Sequence, residues 1–119
     1  MKFIELKIKE EIVKALDEMG FDEMMPIQER VIPLILDGCD VIGQAQTGTG
    51  KTAAFGIPLI EKSTRKNQGV EHLIISPTRE LATQIYNNVV EFTKFEPKIK
   101  AKLLVGGIDR KKNIESVKN

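Results

Sequence analysis

At 119 residues, 41% hydrophobic and 29% charged, the chain suits one small domain with a packed core and excludes bulk disorder. Its single cysteine, Cys39, excludes an internal disulfide and fits a reducing compartment, and no apolar run approaches the ~20 residues of a membrane helix. The net charge of +1 hides a gradient: residues 1–40 carry 5 basic and 10 acidic groups, residues 41–93 carry 5 and 4, and residues 94–119 carry 8 and 3. The basic end reads either as a surface for a polyanion or as a solvated lysine-rich face. Met1 to Lys7 interleaves charges with apolar residues, unlike a signal peptide. A soluble, cytoplasmic protein with no membrane association is expected.

In chain order, Ile8, Ile12, Ala15, Leu16 and Met19 recur at helical spacing, and Gly20 is placed to end that helix. Pro26 suits the first position of a second helix running through Ile27, Val31, Leu34 and Ile35 towards Gly38, with Pro33 expected to bend or shorten it. Asp40 to Gly43 reads as a short buried strand, followed by a Gly/Thr-rich turn and a helix from about Gly50 to Lys62. Leu73 to Ile75 is a second short apolar run, closed by Ser76-Pro77. Leu81, Ile85, Val89 and Phe92 form a helical stripe over residues 79–93, and Ala101 to Val105 is a third strand, ended by Gly106-Gly107. Strand, helix, strand, helix, strand predicts an α/β domain with a parallel sheet, preceded by two acidic helices.

The strongest chemical signal is Ala45-Gln46-Thr47-Gly48-Thr49-Gly50-Lys51-Thr52. Gly-Lys-Thr follows an expected strand and opens an expected helix, the context a phosphate loop requires. Glycines at 48 and 50 can turn successive amides inward around phosphate oxygens, and the helix N-terminus adds its positive dipole end. Lys51 would reach the β/γ-phosphates of ATP, and the Thr52 hydroxyl would ligate Mg²⁺. The general motif begins with glycine, and here Ala45 stands in that place.

Ala-Gln-Thr-Gly-Thr-Gly-Lys-Thr resembles motif I of the DEAD-box ATP-dependent RNA helicases. Other motifs of that family follow the same order: Phe3, Gly20-Phe21 and Pro26-Ile27-Gln28 resemble the upstream aromatic and the Q motif, Pro77-Thr78-Arg79-Glu80-Leu81-Ala82 resembles motif Ia, and Gly106-Gly107 resembles the Gly-Gly motif. The resemblance implies a RecA-like fold, with residues 1–39 a helical region bearing the Q motif and residues 40–119 the N-terminal part of the first ATP-binding domain. It implies that Gln28 reads adenine and that Phe3 packs on the base. An amide can accept from N6 and donate to N7 at once. The plainer alternatives are that Gln28 satisfies backbone N–H groups in a first helical turn and that Phe3 is a hydrophobic anchor. Phe21 reads as packing at the helix junction. Met25 cannot cap the helix that Pro26 opens, at a cost of about 1 kcal/mol.

Motif Ia implies a grip on single-stranded RNA phosphates through Pro77, Thr78, Arg79 and Glu80, with Gly106 and Gly107 admitting the RNA backbone close to the main chain. Thr78 is also placed simply to cap a helix. The family's Asp-Glu-Ala-Asp and Ser-Ala-Thr motifs do not occur in the 119 residues. The resemblance therefore implies an incomplete first domain, whose parent would also carry a second RecA-like domain. A non-catalytic nucleotide- or RNA-binding module is the alternative. An unrelated phosphate-loop kinase would have no use for the motif Ia and Gln28 contexts.

Overall fold

The computed structural model describes residues 1–45, 50–63 and 69–106. Four α-helices follow a short 3-10 turn at Phe3–Glu5: α1 (Glu10–Glu18), α2 (Pro26–Leu36), α3 (Lys51–Lys62) and α4 (Arg79–Phe92). Each lies where apolar periodicity and punctuation place it. In α1, Glu10 and Glu11 occupy the first turn, where carboxylates suit the helix dipole, and Ile12, Ala15 and Leu16 are buried. Its end is a Schellman closure: the Phe21 N–H donates to Leu16 O at 2.9 Å and the Gly20 N–H to Asp17 O at 3.0 Å, with Gly20 at φ +80°. The same pair of bonds ends α2, from Cys39 to Leu34 O and from Gly38 to Ile35 O. Pro33 does not shorten α2, which continues to Leu36 with Val31 and Ile32 buried. So close to the helix end, the missing N–H orphans a single carbonyl.

The core joins all four helices to the N-terminal segment. Phe3, Leu6, Ile12, Leu16, Met24, Ile32, Ala53, Ile57, Ile60 and Phe92 form one buried cluster. Phe21 packs between Phe3 and Phe92, with ring centroids 6.0 and 6.3 Å away. The Phe3 N–H donates to Asp22 O and the Met24 N–H to Met1 O, and a single antiparallel bridge pairs Lys2 with Glu23. At the crossing of α3 and α4, Gly56 leaves room for the Phe92 ring, which a Cβ there would touch at 3.5 Å.

The sheet differs from expectation. No strand ladder forms among the described residues at 40–43, 73–75 or 101–105. Ile42 is 96% exposed, Leu73 77% and Ile75 85%. Segments 70–75 and 101–104 instead border one cavity of about 550 Å³, floored by Gly56, Leu59 and Ile60 of α3 and by Ile85, Tyr86 and Val89 of α4. A helix closes its hydrogen bonds within itself, whereas a strand exists only beside a neighbour about 4.8 Å away. The helices therefore form in place, and the described segments at 40–43, 73–75 and 101–105 carry no strand ladder.

Candidate functional site

Two groups of candidate residues emerge, one at each of the helix N-termini that follow an extended segment. The first is the head of α3. Gly50 is its N-cap residue, at φ 83° and ψ 27°, in the left-handed region that a side chain disfavours. A Cβ at Gly50 would also collide with the Gln28 side-chain amide, so the position needs glycine on two separate grounds. The amides of Lys51, Thr52 and Ala53 have no acceptor inside the helix, because the first intrahelical bond runs from the Ala54 N–H to Gly50 O at 3.2 Å. No side chain caps them from the N-cap position. Lys51 is exposed and Thr52 half-buried. Oriented amides, a dipole end and a free-standing ammonium stem form a cradle suited to phosphate. Ala45 is half-buried at the near end of the loop, and the expected amide ring at Gln46, Thr47, Gly48 and Thr49 lies outside the described residues.

Gln28 sits directly behind this cradle, only 2% exposed. Its Oε1 accepts the Met25 N–H at 2.8 Å, and its Nε2 donates to Gly50 O at 3.1 Å. Met25 provides no side-chain hydrogen bond as N-cap of α2, as expected, and Gln28, three residues on, accepts the N–H of the N-cap residue itself. The alternative role considered for Gln28, serving backbone groups in a first turn, is thus realised. The same amide also ties α2 to the phosphate-loop helix. One N–H and one lone pair of the amide remain for a ligand. Phe3 is 2% exposed with its ring against Phe21. The structure gives it the anchoring role, since a base could stack on it only by opening that aromatic cluster.

The second group is the head of α4. Thr78 is the N-cap, its Oγ1 accepting the Leu81 N–H at 3.1 Å, and Glu80 lies in the first turn. Pro77, Thr78, Arg79 and Glu80 are all exposed. Ser76 to Arg79 and Leu104 to Gly106 line a common hollow of about 330 Å³. The Arg79 guanidinium reaches Gly106, where an added Cβ would lie 4.0 Å from Nη2. Motif Ia and the first of the two glycines thus meet, although they are 27 positions apart in sequence. Gly107 and the basic residues Arg110, Lys111 and Lys112 lie outside the described residues.

Sequence reasoning missed one further contact. Lys9, the N-cap residue of α1, makes no cap bond there. Its ammonium donates instead to Ser63 O at 3.0 Å and Ile60 O at 3.3 Å, and its backbone N–H donates to Glu61 Oε2 at 2.8 Å. Nothing in a lysine 51 or more residues away from its acceptors signals this in advance. The Gln28 contact to Met25 could have been found from the three-residue spacing of a capping box.

Comparison with known proteins places this arrangement. Residues 25–119 match the family model for the DEAD/DEAH box helicase. The chain is 49% identical over 117 residues to an ATP-dependent RNA helicase CshA of Listeria monocytogenes, covering 98% of this chain and 22% of that protein. It is 47% identical over 118 residues to the CshA of Limosilactobacillus reuteri, covering 99% and 24%. It therefore spans about a quarter of the length of these curated relatives. Among solved structures, a DEAD box protein from the hyperthermophile Methanococcus jannaschii superposes with a TM-score of 0.85 at 36% identity, covering 98% of this chain and 32% of that one. The RNA helicase Prp28 from Chaetomium thermophilum bound to ADP gives 0.84 at 35% identity, covering 99% and 30%.

Proposed function

The chain belongs to the DEAD/DEAH box helicase family and shares the RecA-like α/β fold of its relatives, and on that premise we propose that it binds ATP at the head of α3 and RNA at the head of α4, as part of an ATP-dependent RNA helicase. The observation that carries the reading is the Gly50 cradle: a left-handed glycine, open first-turn amides, and Lys51-Thr52 immediately after it. Residues 45–52 would wrap the phosphates, with Lys51 at the β/γ-phosphates. The spare N–H and lone pair of Gln28 would meet the adenine edge.

Mg²⁺ would be held through Thr52. A cation of this kind is held chiefly by nucleotide phosphates and water, with few protein ligands. When bound, the cation would neutralise charge developing on the phosphates. Pro77, Thr78, Arg79, Glu80, Gly106 and Gly107 would grip the RNA backbone, and a second RecA-like domain in the parent protein would complete the enzyme. Among the described residues no helix is long and apolar enough to cross a membrane. A cytoplasmic location belongs to the same reading.

The sequence carries no Asp-Glu-Ala-Asp run, and metal-assisted phosphoryl transfer needs such carboxylates. The 119 residues alone should therefore bind nucleotide without RNA-stimulated turnover, in the manner of a non-catalytic binding module. A titration with ATP, beside Lys51→Ala, tests the binding. An ATPase assay of the pure chain with and without RNA tests the turnover, and activity above the Lys51→Ala background would overturn the second claim.

A further inference from the structure

The helix that carries the phosphate cradle is held at both ends by the chain that precedes it. At its head, Gln28 takes Gly50 O. At its tail, Lys9 takes the carbonyls of Ile60 and Ser63 and gives its own N–H to Glu61. We propose that Lys9 is a positioning residue for nucleotide binding, stapling the tail of α3 so that its first-turn amides are presented to phosphate in a fixed direction. The inference rests on the reading that phosphate binds at the head of α3.

Three observations support it. Lys9 occupies the N-cap position of α1 yet leaves that helix without a side-chain cap, forgoing a contact that Ser, Thr, Asp or Asn would provide there. Its ammonium goes instead to the carbonyl end of α3, where a cation meets the negative end of the dipole, sharing Ile60 O with the Ser63 N–H and taking Ser63 O beyond the last turn. Second, Pro58 lies inside α3. It has no N–H for the carbonyl of Ala54, so the last turn is joined to the first by one bond fewer than usual, and an external tie gains weight there. Third, Ser63, at the stapled end, is 7% exposed, so its carbonyl is partnered by protein in a site with little access to water. A helix of 12 residues is about 18 Å long and stiff, and freedom at the tail becomes a change of direction at the head.

The discriminating variants are Lys9→Ser, which gives α1 a proper cap while removing the staple, and Lys9→Arg, whose guanidinium can still bond two carbonyls. Lys51→Ala serves as the control for the nucleotide reading. In the intact protein, Lys9→Ser should weaken ATP binding roughly 3- to 10-fold, as expected for losing two charge-assisted hydrogen bonds in part. Amide hydrogen exchange should speed up at both 60–63 and 54–57, the first hydrogen-bonded amides of α3, while α1 is unchanged or slower. Lys9→Arg should return affinity to within about twofold of the parent. The proposal is overturned if Lys9→Ser binds ATP like the parent while Lys51→Ala does not, or if Lys9→Arg rescues nothing. Faster exchange confined to 60–63 would overturn it as well. If the parent and Lys51→Ala bind ATP equally poorly, the nucleotide reading fails by itself, and the exchange at 54–57 still decides whether the staple reaches the head of α3.

Discussion

Gln28 concentrates the residue-scale logic of the site. It is buried, bonded to α2 through Met25 and to α3 through Gly50, and has capacity left for one donor and one acceptor contact. Adenine offers a donor at N6 beside an acceptor at N7, whereas guanine presents two acceptors. Gln28→Ala should therefore bring ATP and GTP affinities closer, mainly by weakening ATP, from a preference of roughly 5- to 150-fold for this contact. It should also cost about 1–3 kcal/mol of stability, because two part-buried hydrogen bonds, from the Met25 N–H and to Gly50 O, are lost at about 0.5–1.5 kcal/mol each. Gln28→Glu keeps the acceptor for the Met25 N–H but lacks the donor for Gly50 O and N7. It should retain more stability than Gln28→Ala yet bind ATP worse than its size suggests. Nucleotide titrations paired with thermal melts separate the two effects; an unchanged ATP-to-GTP ratio in Gln28→Ala would remove Gln28 from base reading. Arg79 is different in kind, being exposed beside Gly106. Arg79→Ala in the parent protein should weaken RNA binding evenly across sequences and reduce the salt slope by roughly 0.7 per lost contact. A shifted sequence preference with an intact slope would mean that Arg79 reads a base.

Among the elements, α3 and α4 use their N-termini in opposite ways. The head of α4 is closed by its own Thr78 hydroxyl on the Leu81 N–H, with Glu80 supporting the dipole. The head of α3 has a glycine where a capping side chain would stand and leaves its amides open. Capping and anion binding compete for the same donors, so the open head of α3 offers its first-turn amides to a ligand, whereas the head of α4 has its Leu81 amide taken by Thr78 and offers the Arg79 side chain beside it. Thr78→Ala should destabilise α4 by about 1 kcal/mol, whereas Thr78→Ser should be nearly neutral. Urea unfolding of both variants checks this, and equal losses would mean that the Thr78 methyl, not its hydroxyl, matters. The ion pair of Lys94 with Glu18, at 2.8 Å but exposed on both sides, adds little to the docking of α1 on α4. The buried aromatic run from Phe3 through Phe21 to Phe92 does that work.

Among the described residues, the four helices share a core while the extended segments at 40–43, 73–75 and 101–105 form no strand ladder. Ile42, Leu73 and Ile75 stand open along those segments, and unpaired edges with apolar side chains recruit other strands. The 119-residue chain in isolation should self-associate in a concentration-dependent way, as measured by sedimentation. Replacing Ile42 and Ile75 by lysine should shift it towards monomer. A monomeric 119-residue chain with a sharp cooperative melt would contradict this.

The four helices, the glycines that end α1 and α2, the Thr78 cap, and the Gly50-Lys51-Thr52 turn were all legible in the 119 letters, because helical bonds, caps and tight turns are made between residues at most five apart. The bases of family membership, from Ala45 to Thr52 and from Pro77 to Ala82, were legible for the same reason: each motif is a local run. What the tertiary structure alone decided are relations across distance. It put Phe3 in the core, brought Arg79 to Gly106, tied Gln28 to Gly50, and turned Lys9 away from its own helix to the end of another. It also left the segments at 40–43, 73–75 and 101–105 without a ladder. Apolar alternation expresses a readiness to pair, and a strand is realised only when a second backbone lies alongside to accept and donate its hydrogen bonds.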